Sequence, residues 1–218
     1  MPARGENQEL GAPERKVRLL LASSNAGKLK ELRALATATS GCVSLDLQLL
    51  PGFSRLPAFE ETAPTFSENA AGKALYYSRV SDSPVIADDS GLVVDALGGA
   101  PGVHSARYAG QNASSAERIQ KVLIEMRASG SKDRRARFVC VIALALAGRM
   151  VAVFSDSVEG EILETACGRG GFGYDPVFFY PPAGRSFAEM SAEEKNRYSH
   201  RAKAFHKLAA FLENTPVL

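Results

Sequence analysis

Two pairs of adjacent carboxylates, Glu60-Glu61 and Asp88-Asp89, are the residues of this sequence best suited to chemistry. Asp88-Asp89 follows directly on the apolar run Val85-Ile86-Ala87, so two like charges stand at the end of an expected strand. Such a pair is costly unless a cation or hydrogen-bond donors offset it. Hard divalent cations take a few carboxylate oxygens and fill the remaining positions with water and phosphate, so these acids read as a Mg²⁺ site. The competing reading of Asp88-Asp89-Ser90-Gly91 is a tight turn.

Three further segments carry chemical potential. Ser23-Ser24-Asn25-Ala26-Gly27-Lys28 lies between an apolar run and a helical pattern, where backbone N–H groups and the helix dipole hold phosphate. Lys28 there opposes the dipole, a conflict an anionic ligand removes. The alternative is a plain strand–helix turn, and a Walker loop is excluded by the single glycine and the missing GKS/GKT ending. Gly168 to Pro176 places four glycines among nine residues around Phe172 and Tyr174. That composition lets backbone approach a flat ligand between stacking rings, or makes a solvent loop with aromatic plugs. Lys195, Arg197, His200, Arg201 and Lys203 form a basic cluster, read either as a solvated helix face or as donors to phosphates and a base edge.

The elements that must position these residues follow from periodicity. Val17–Ala22 and the alternating Val43, Leu45, Leu47 and Leu49 predict strands. Leu29, Leu32 and Leu35 predict a helix from Lys28, and Thr65-x-x-Glu68 and Ser114-x-x-Glu117 are capping boxes opening two more. Residues 137–147 and 150–157, separated by Gly148-Arg149, predict a hairpin, with 158–163 as a further strand. Ser191-x-x-Glu194 opens a short helix, and Ala202, Phe205, Leu208, Ala209 and Leu212 mark the last. The expected fold is α/β, with a mixed sheet, helices beside it, and two lobes with a cleft between them. Residues 1–16 are expected to be a flexible tail, and 17–218 a single domain.

Composition narrows the class. The 218 residues are 45% hydrophobic and 23% charged with a net charge of +2, which suits a globular protein and gives no argument for a polyanionic partner. Cys42, Cys140 and Cys167 form no CxxC pair and read as reduced thiols of a cytoplasmic protein. No apolar run approaches the ~20 residues a membrane span needs.

Taken together, these segments resemble the inosine triphosphate pyrophosphatase family. The stretches that carry the resemblance are Ser23-x-Asn25-x-x-Lys28, Glu60-Glu61-Thr62, Thr65 to Ala70 with Lys73-Ala74, Ala87 to Leu92, Gly98 to Val103, Ser105 to Tyr108, Gly171 to Pro176, and Lys195 with Ser199-His200-Arg201. They occur in the family's order across residues 17–213. The resemblance implies an elongated mixed β-sheet flanked by helices, two lobes with a nucleotide-binding cleft between them, and hydrolysis of ITP, dITP and XTP to monophosphate and pyrophosphate with Mg²⁺, in a homodimer. It puts the substrate against Ser23, Ser24, Asn25, Ala26, Gly27, Lys28 and Ser90. The base pocket falls on Phe172, Gly173, Tyr174 and Asp175 with Lys195, His200 and Arg201, the metal on Glu60 and Asp89, and the general base on Asp89. The related Maf-like pyrophosphatases, a non-catalytic nucleotide-binding module, and a nucleic-acid binder using Lys132, Arg134, Arg135 and Arg137 are the competing readings.

Overall fold

The computed structural model describes residues 15–39 and 43–215. Seven strands form one mixed sheet in the order β2-β1-β3-β4-β5-β6-β7. They are β1 (Arg15–Leu21), β2 (Val43–Leu49), β3 (Val85–Val94), β4 (Arg135–Leu146), β5 (Arg149–Ile162), β6 (Phe178–Tyr180) and β7 (Arg185–Ser186). The helices are α1 (Ala26–Ala38), α2 (Phe66–Ser78), α3 (Ser115–Ala128), α4 (Ala192–Tyr198) and α5 (His200–Glu213). β1 pairs in parallel with β2 on one side and β3 on the other, while β3 to β7 run antiparallel. This is the expected α/β mixed sheet. Most of the expected tail lies outside the described residues, but Arg15 and Lys16 already belong to β1.

Apolar residues at helical spacing pack each long helix onto the sheet or its neighbours. Leu32 and Leu35 of α1 and Phe205, Leu208 and Leu212 of α5 cover one face of β1, β2 and β4. Ala70, Ala74 and Tyr77 of α2 cover the opposite face, against Val85 and Ala87. Ile119, Val122, Leu123 and Met126 of α3 pack with Leu92, Phe138, Phe178 and Phe187 in a further cluster. With helices on both faces, the end of β1, Leu19–Leu21, is a continuous buried apolar run rather than an alternating one.

Two strand boundaries differ from expectation. Asp88-Asp89-Ser90-Gly91 is no turn, because β3 runs unbroken through it, with Asp88 opposite Ile142 and Asp89 opposite Val141 on β4. β5 likewise continues to Ile162, and its hairpin turn is Ala147-Gly148, both at positive φ (48° and 75°), as a two-residue turn demands. β1 ends at Leu21 while β3 continues, leaving a gap where the chain diverges to opposite sides of β1. Open sheets bind ligands beyond the strand ends at such a switch point.

Candidate active site

A cavity of about 490 Å³ opens at that gap, lined on one side by Ser23, Ser24, Asn25 and Lys28 and on the other by Phe172, Gly173, Tyr174 and Asp175. Asp89, Ser90, Glu61, Lys73, Lys195, His200 and Arg201 complete the part of its wall that bears chemistry. Residues far apart in sequence are thus brought together by the end of β1, the middle of β3 and the start of α5.

Strand alternation splits the acid pair. Successive β3 side chains point to opposite faces: Ile86 joins the α1–α5 core, whereas Val85 and Ala87 join the α2 core. Asp88 and Ser90 therefore face α1 and α5, and Asp89 faces α2. Asp88 accepts Lys28 Nζ at 2.9 Å and lies 3.6 Å from Arg201 Nε. Burial alone would resist its ionisation, but Lys28, Arg201 and Lys73 outweigh that and hold its carboxyl at about 2. Asp88 does not line the cavity. Asp89 does, and burial, helped by the nearby Glu61 charge, pushes its carboxyl above the usual range. Its Oδ1 accepts the Ser90 N–H at 2.9 Å, while its buried Oδ2 accepts no hydrogen bond among the described residues. Two adjacent acids thus acquire opposite characters, one a fixed anion and the other a carboxyl that holds a proton more readily than usual.

The phosphate turn is built as a cap. Asn25 is the N-cap of α1, its Oδ1 accepting the Lys28 N–H at 3.1 Å, and Ser23 Oγ accepts the Asn25 N–H at 3.2 Å. Lys28 escapes its conflict with the helix dipole by reaching across to Asp88. Gly27 lies under the Phe172 ring, where a Cβ would stand 2.9 Å from the ring carbons, so a glycine is required for the two walls to meet. Ala26 is exposed and does not line the cavity. Lys28→Ala should raise KM for a triphosphate severalfold or more, because a compact cation is lost beside the phosphates. Kinetics identical to wild type would make the turn purely structural.

The glycine loop closes on Asp175. Its Oδ2 accepts the Phe172 N–H at 2.8 Å and Lys195 Nζ at 2.5 Å. Gly171 sits at φ +69°, and a Cβ there would collide with the same oxygen at 2.1 Å. Tyr174 donates its hydroxyl to Ser105 O at 2.9 Å, anchoring the far side of the loop.

Ser199 decides the fate of the basic cluster. It ends α4 and at the same time caps α5, accepting the Ala202 N–H, so the chain kinks between Tyr198 and His200. Lys195, His200 and Arg201 turn inward to 5%, 4% and 2% exposure, while Arg197 stays in solvent. The solvated-face reading therefore fails for these three. Buried charges need partners, and Glu31 on α1 supplies one, accepting Lys195 at 2.7 Å and also Arg201. Arg201 donates as well to Ser90 Oγ at 2.8 Å. His200, stacked on Phe138 at 4.8 Å, is held neutral by burial and by the Arg201 and Lys195 charges. An imidazolium at this position is therefore excluded at neutral pH.

Glu60, the metal carboxylate implied by the resemblance, is exposed and does not line the cavity, whereas Glu61 does. The loop is registered by Asn69, whose Oδ1 accepts the Ala63 N–H at 3.0 Å, and by Arg107, which donates to Glu61 O at 2.8 Å. Glu61 pairs with Lys73, and Lys73 also donates to Asp88 O at 2.8 Å. Burial opposes the charge on Lys73, but Asp88 and Glu61 keep it protonated above its usual value. Glu31 was not singled out from the sequence, and Lys73 entered only within the resemblance, with no role assigned to it. Their spacings carried a signal, since Lys73 lies four residues after Asn69 and Glu31 three after Lys28, each pair on one helix face. Among the described residues no three His, Cys, Asp or Glu side chains gather into a metal cage. A cation here would rest on one or two carboxylates plus phosphate oxygens, the manner of Mg²⁺, and the orphaned Asp89 Oδ2 suits that role.

The basic stretch offered to nucleic acid is satisfied internally. Arg134 donates to Leu163 O at 2.8 Å, Arg135 pairs with Asp133 at 2.7 Å, and Arg137 pairs with Asp95 at 3.0 Å. No helix among the described residues is long and apolar enough to cross a membrane. Cys140 is buried, and neither it nor Cys167 is in a disulfide.

Sheet order and cavity position define the class: α/β proteins whose ligand pocket lies at the switch point of a mixed sheet. Within that class the Ham1 family profile matches residues 19–211, and the chain belongs to the Ham1 family. It is 49% identical over 190 residues to a dITP/XTP pyrophosphatase of Geobacillus kaustophilus, covering 87% of this chain and 91% of that protein. It is 46% identical over 203 residues to the dITP/XTP pyrophosphatase of Thermus thermophilus, covering 93% and 95%. The solved structure of a HAM1 protein from Coxiella burnetii superposes with a TM-score of 0.80 at 41% identity, covering 91% of this chain and all of that one.

Proposed function

We propose that this chain hydrolyses ITP, dITP and XTP to the nucleoside monophosphate and pyrophosphate, removing them from the nucleotide pool. The observation that carries the reading is the split acid pair. An anion locked among Lys28, Arg201 and Lys73 organises the cation cluster, and beside it Asp89 lines the cavity with an unpartnered oxygen. Asp89 accepts a proton from the water that attacks the α-phosphorus. A bond forms from the water oxygen to that phosphorus, the α–β anhydride bond breaks, and pyrophosphate leaves as the anion. Lys28 and Lys73 face the charge that develops on the leaving group. Mg²⁺ held by Asp89 and Glu61, when bound, neutralises triphosphate charge and polarises the phosphoryl oxygens. The relatives' names support the same reaction. A cytoplasmic homodimer, with residues 17–218 as one two-lobed domain, completes the reading.

Pyrophosphate release from ITP with Mg²⁺ tests the reaction. It should be abolished by chelation, restored in part by Mn²⁺ and poorly by Ca²⁺, which is larger and more loosely coordinated. Glu61→Gln should raise the Mg²⁺ concentration needed for half-maximal activity by about tenfold, and Glu60→Gln should leave it unchanged. The reverse pattern would return the ligand role to Glu60. Full activity after exhaustive chelation would end the metal reading.

A further inference from the structure

Five cations line the cavity: Lys28, Lys73, Lys195, Arg201 and Arg118. Four are neutralised, Lys28 by Asp88, Lys73 by Glu61, Lys195 by Glu31 and Asp175, and Arg201 by Glu31. Arg118, the fourth residue of α3, has no ion-pair partner among the described residues. Its Nη1 donates to Ala106 O at 2.6 Å and its Nη2 to Ser115 Oγ at 3.0 Å, while its buried Nε has no acceptor. The nearby acids of α3 are committed elsewhere: Glu117 caps Ser114, and Glu125 accepts the Tyr108 hydroxyl and pairs with Lys121. A fixed guanidinium with an uncompensated charge therefore belongs to the wall of Ser105, Ala106, Gly173 and Tyr174, which the Tyr174–Ser105 hydrogen bond ties into one unit.

That wall belongs to the glycine loop rather than to the phosphate turn at the end of β1. The same cavity is lined by Lys195, His200 and Arg201 and by the Arg118 wall with Gly173 and Tyr174 of the loop. Resting on the pyrophosphatase reading above, we infer that Arg118 is a specificity-determining residue that reads the 2-position of the purine. Xanthine carries a carbonyl there and sheds a ring proton near neutrality, so its edge is an acceptor with negative charge. Hypoxanthine has only hydrogen at that position. Guanine has an amine, a donor that faces the guanidinium donors and leaves both unpaired. Arg118 thus favours xanthine over hypoxanthine and opposes guanine, a discrimination that the donors reading O6 do not provide, because all three bases share O6.

The test is kcat/KM for XTP, ITP and GTP at fixed Mg²⁺, for the wild type, Arg118→Gln and Arg118→Lys. In Arg118→Gln the XTP/ITP ratio should fall roughly tenfold to a hundredfold, the worth of a charge-assisted hydrogen bond, while GTP gains relative to ITP. Arg118→Lys should keep most of the XTP preference. In the wild type the XTP/ITP ratio should rise with pH as xanthine ionises, and in Arg118→Gln it should stay flat. A merely structural role would lower all three nucleotides together and leave both the ratio and its pH profile unmoved, which would overturn the inference. If Arg118→Gln fails to fold, a flat wild-type pH profile overturns it equally. A wild type that releases pyrophosphate from none of the three would overturn the pyrophosphatase reading and this inference with it, whereas normal ITP hydrolysis with an unchanged ratio strikes this inference alone.

Discussion

Replacing Asp89 with asparagine should cut turnover of ITP by about 10²-fold or more while leaving the nucleotide bound, because the change removes the proton acceptor and keeps the shape. The pH profile gives the sharper signature. Burial raises the Asp89 carboxyl above its usual range, with Glu61 adding to the effect. A base works only when ionised, so wild-type activity should fall at acid pH as Asp89 takes up a proton, at a pH that Mg²⁺ on the same carboxylate lowers, and the residual activity of Asp89→Asn should lack this acid limb. Asp88→Asn should behave differently. It strips the shared partner from Lys28 and Arg201, so its loss should be largest in KM and in thermal stability. Near-normal turnover in Asp89→Asn would move the base elsewhere. Asp88 is a poor substitute, with a carboxyl held at about 2 and no face on the cavity.

Base selectivity should be of comparable size. Hypoxanthine and xanthine present O6, an acceptor, where adenine presents an amine. Lys195 and Arg201 are obligate donors turned inward, and each is oriented by Glu31. A site built of buried donors rejects the base that leaves them unpaired, by up to ~10⁴-fold in favourable cases. The expected order of kcat/KM is ITP, dITP and XTP well above GTP, with ATP and the pyrimidine triphosphates lowest and little distinction between ribose and deoxyribose. His200 contributes here as a neutral ring, since burial and the neighbouring Arg201 and Lys195 charges keep a proton off it. Its donor is one N–H rather than an imidazolium. Asp175, whose Oδ2 is taken by Lys195 and the Phe172 N–H, acts chiefly as the clamp of the glycine loop. ATP or CTP turned over as well as ITP would refute the O6 assignment to Lys195 and Arg201 while leaving the hydrolase intact.

Local physics was legible in the chain. Leu32 and Leu35 of α1, the alanines and tyrosine of α2 and the apolar face of α3 repeat at helical spacing and are buried as that spacing demands, with Leu29 half-buried at the start of its stripe. The cap at Asn25, the glycine–aromatic loop and the paired acids also announce themselves, because turns, caps and repelling charges are problems that a few neighbouring residues pose together. What the sequence left open was decided at long range. Asp88-Asp89 looked like a strand end because like charges are costly in a buried strand, yet β4 supplies ladder partners opposite both, and cations from α1 and α5 balance Asp88. Glu61 rather than Glu60 faces the cavity because Asn69 and Arg107 fix the loop, a register that two adjacent identical residues cannot encode by themselves. Lys195 and Arg201 allowed both a solvated and an inward reading, and the kink at Ser199 with the carboxylate of Glu31, some 160 residues upstream, decides for burial. The sequence determined which elements form and which residue types stand at their ends. The tertiary structure decided which charges meet, because the electrostatic cost of burying a charge depends on partners that only folding brings within reach.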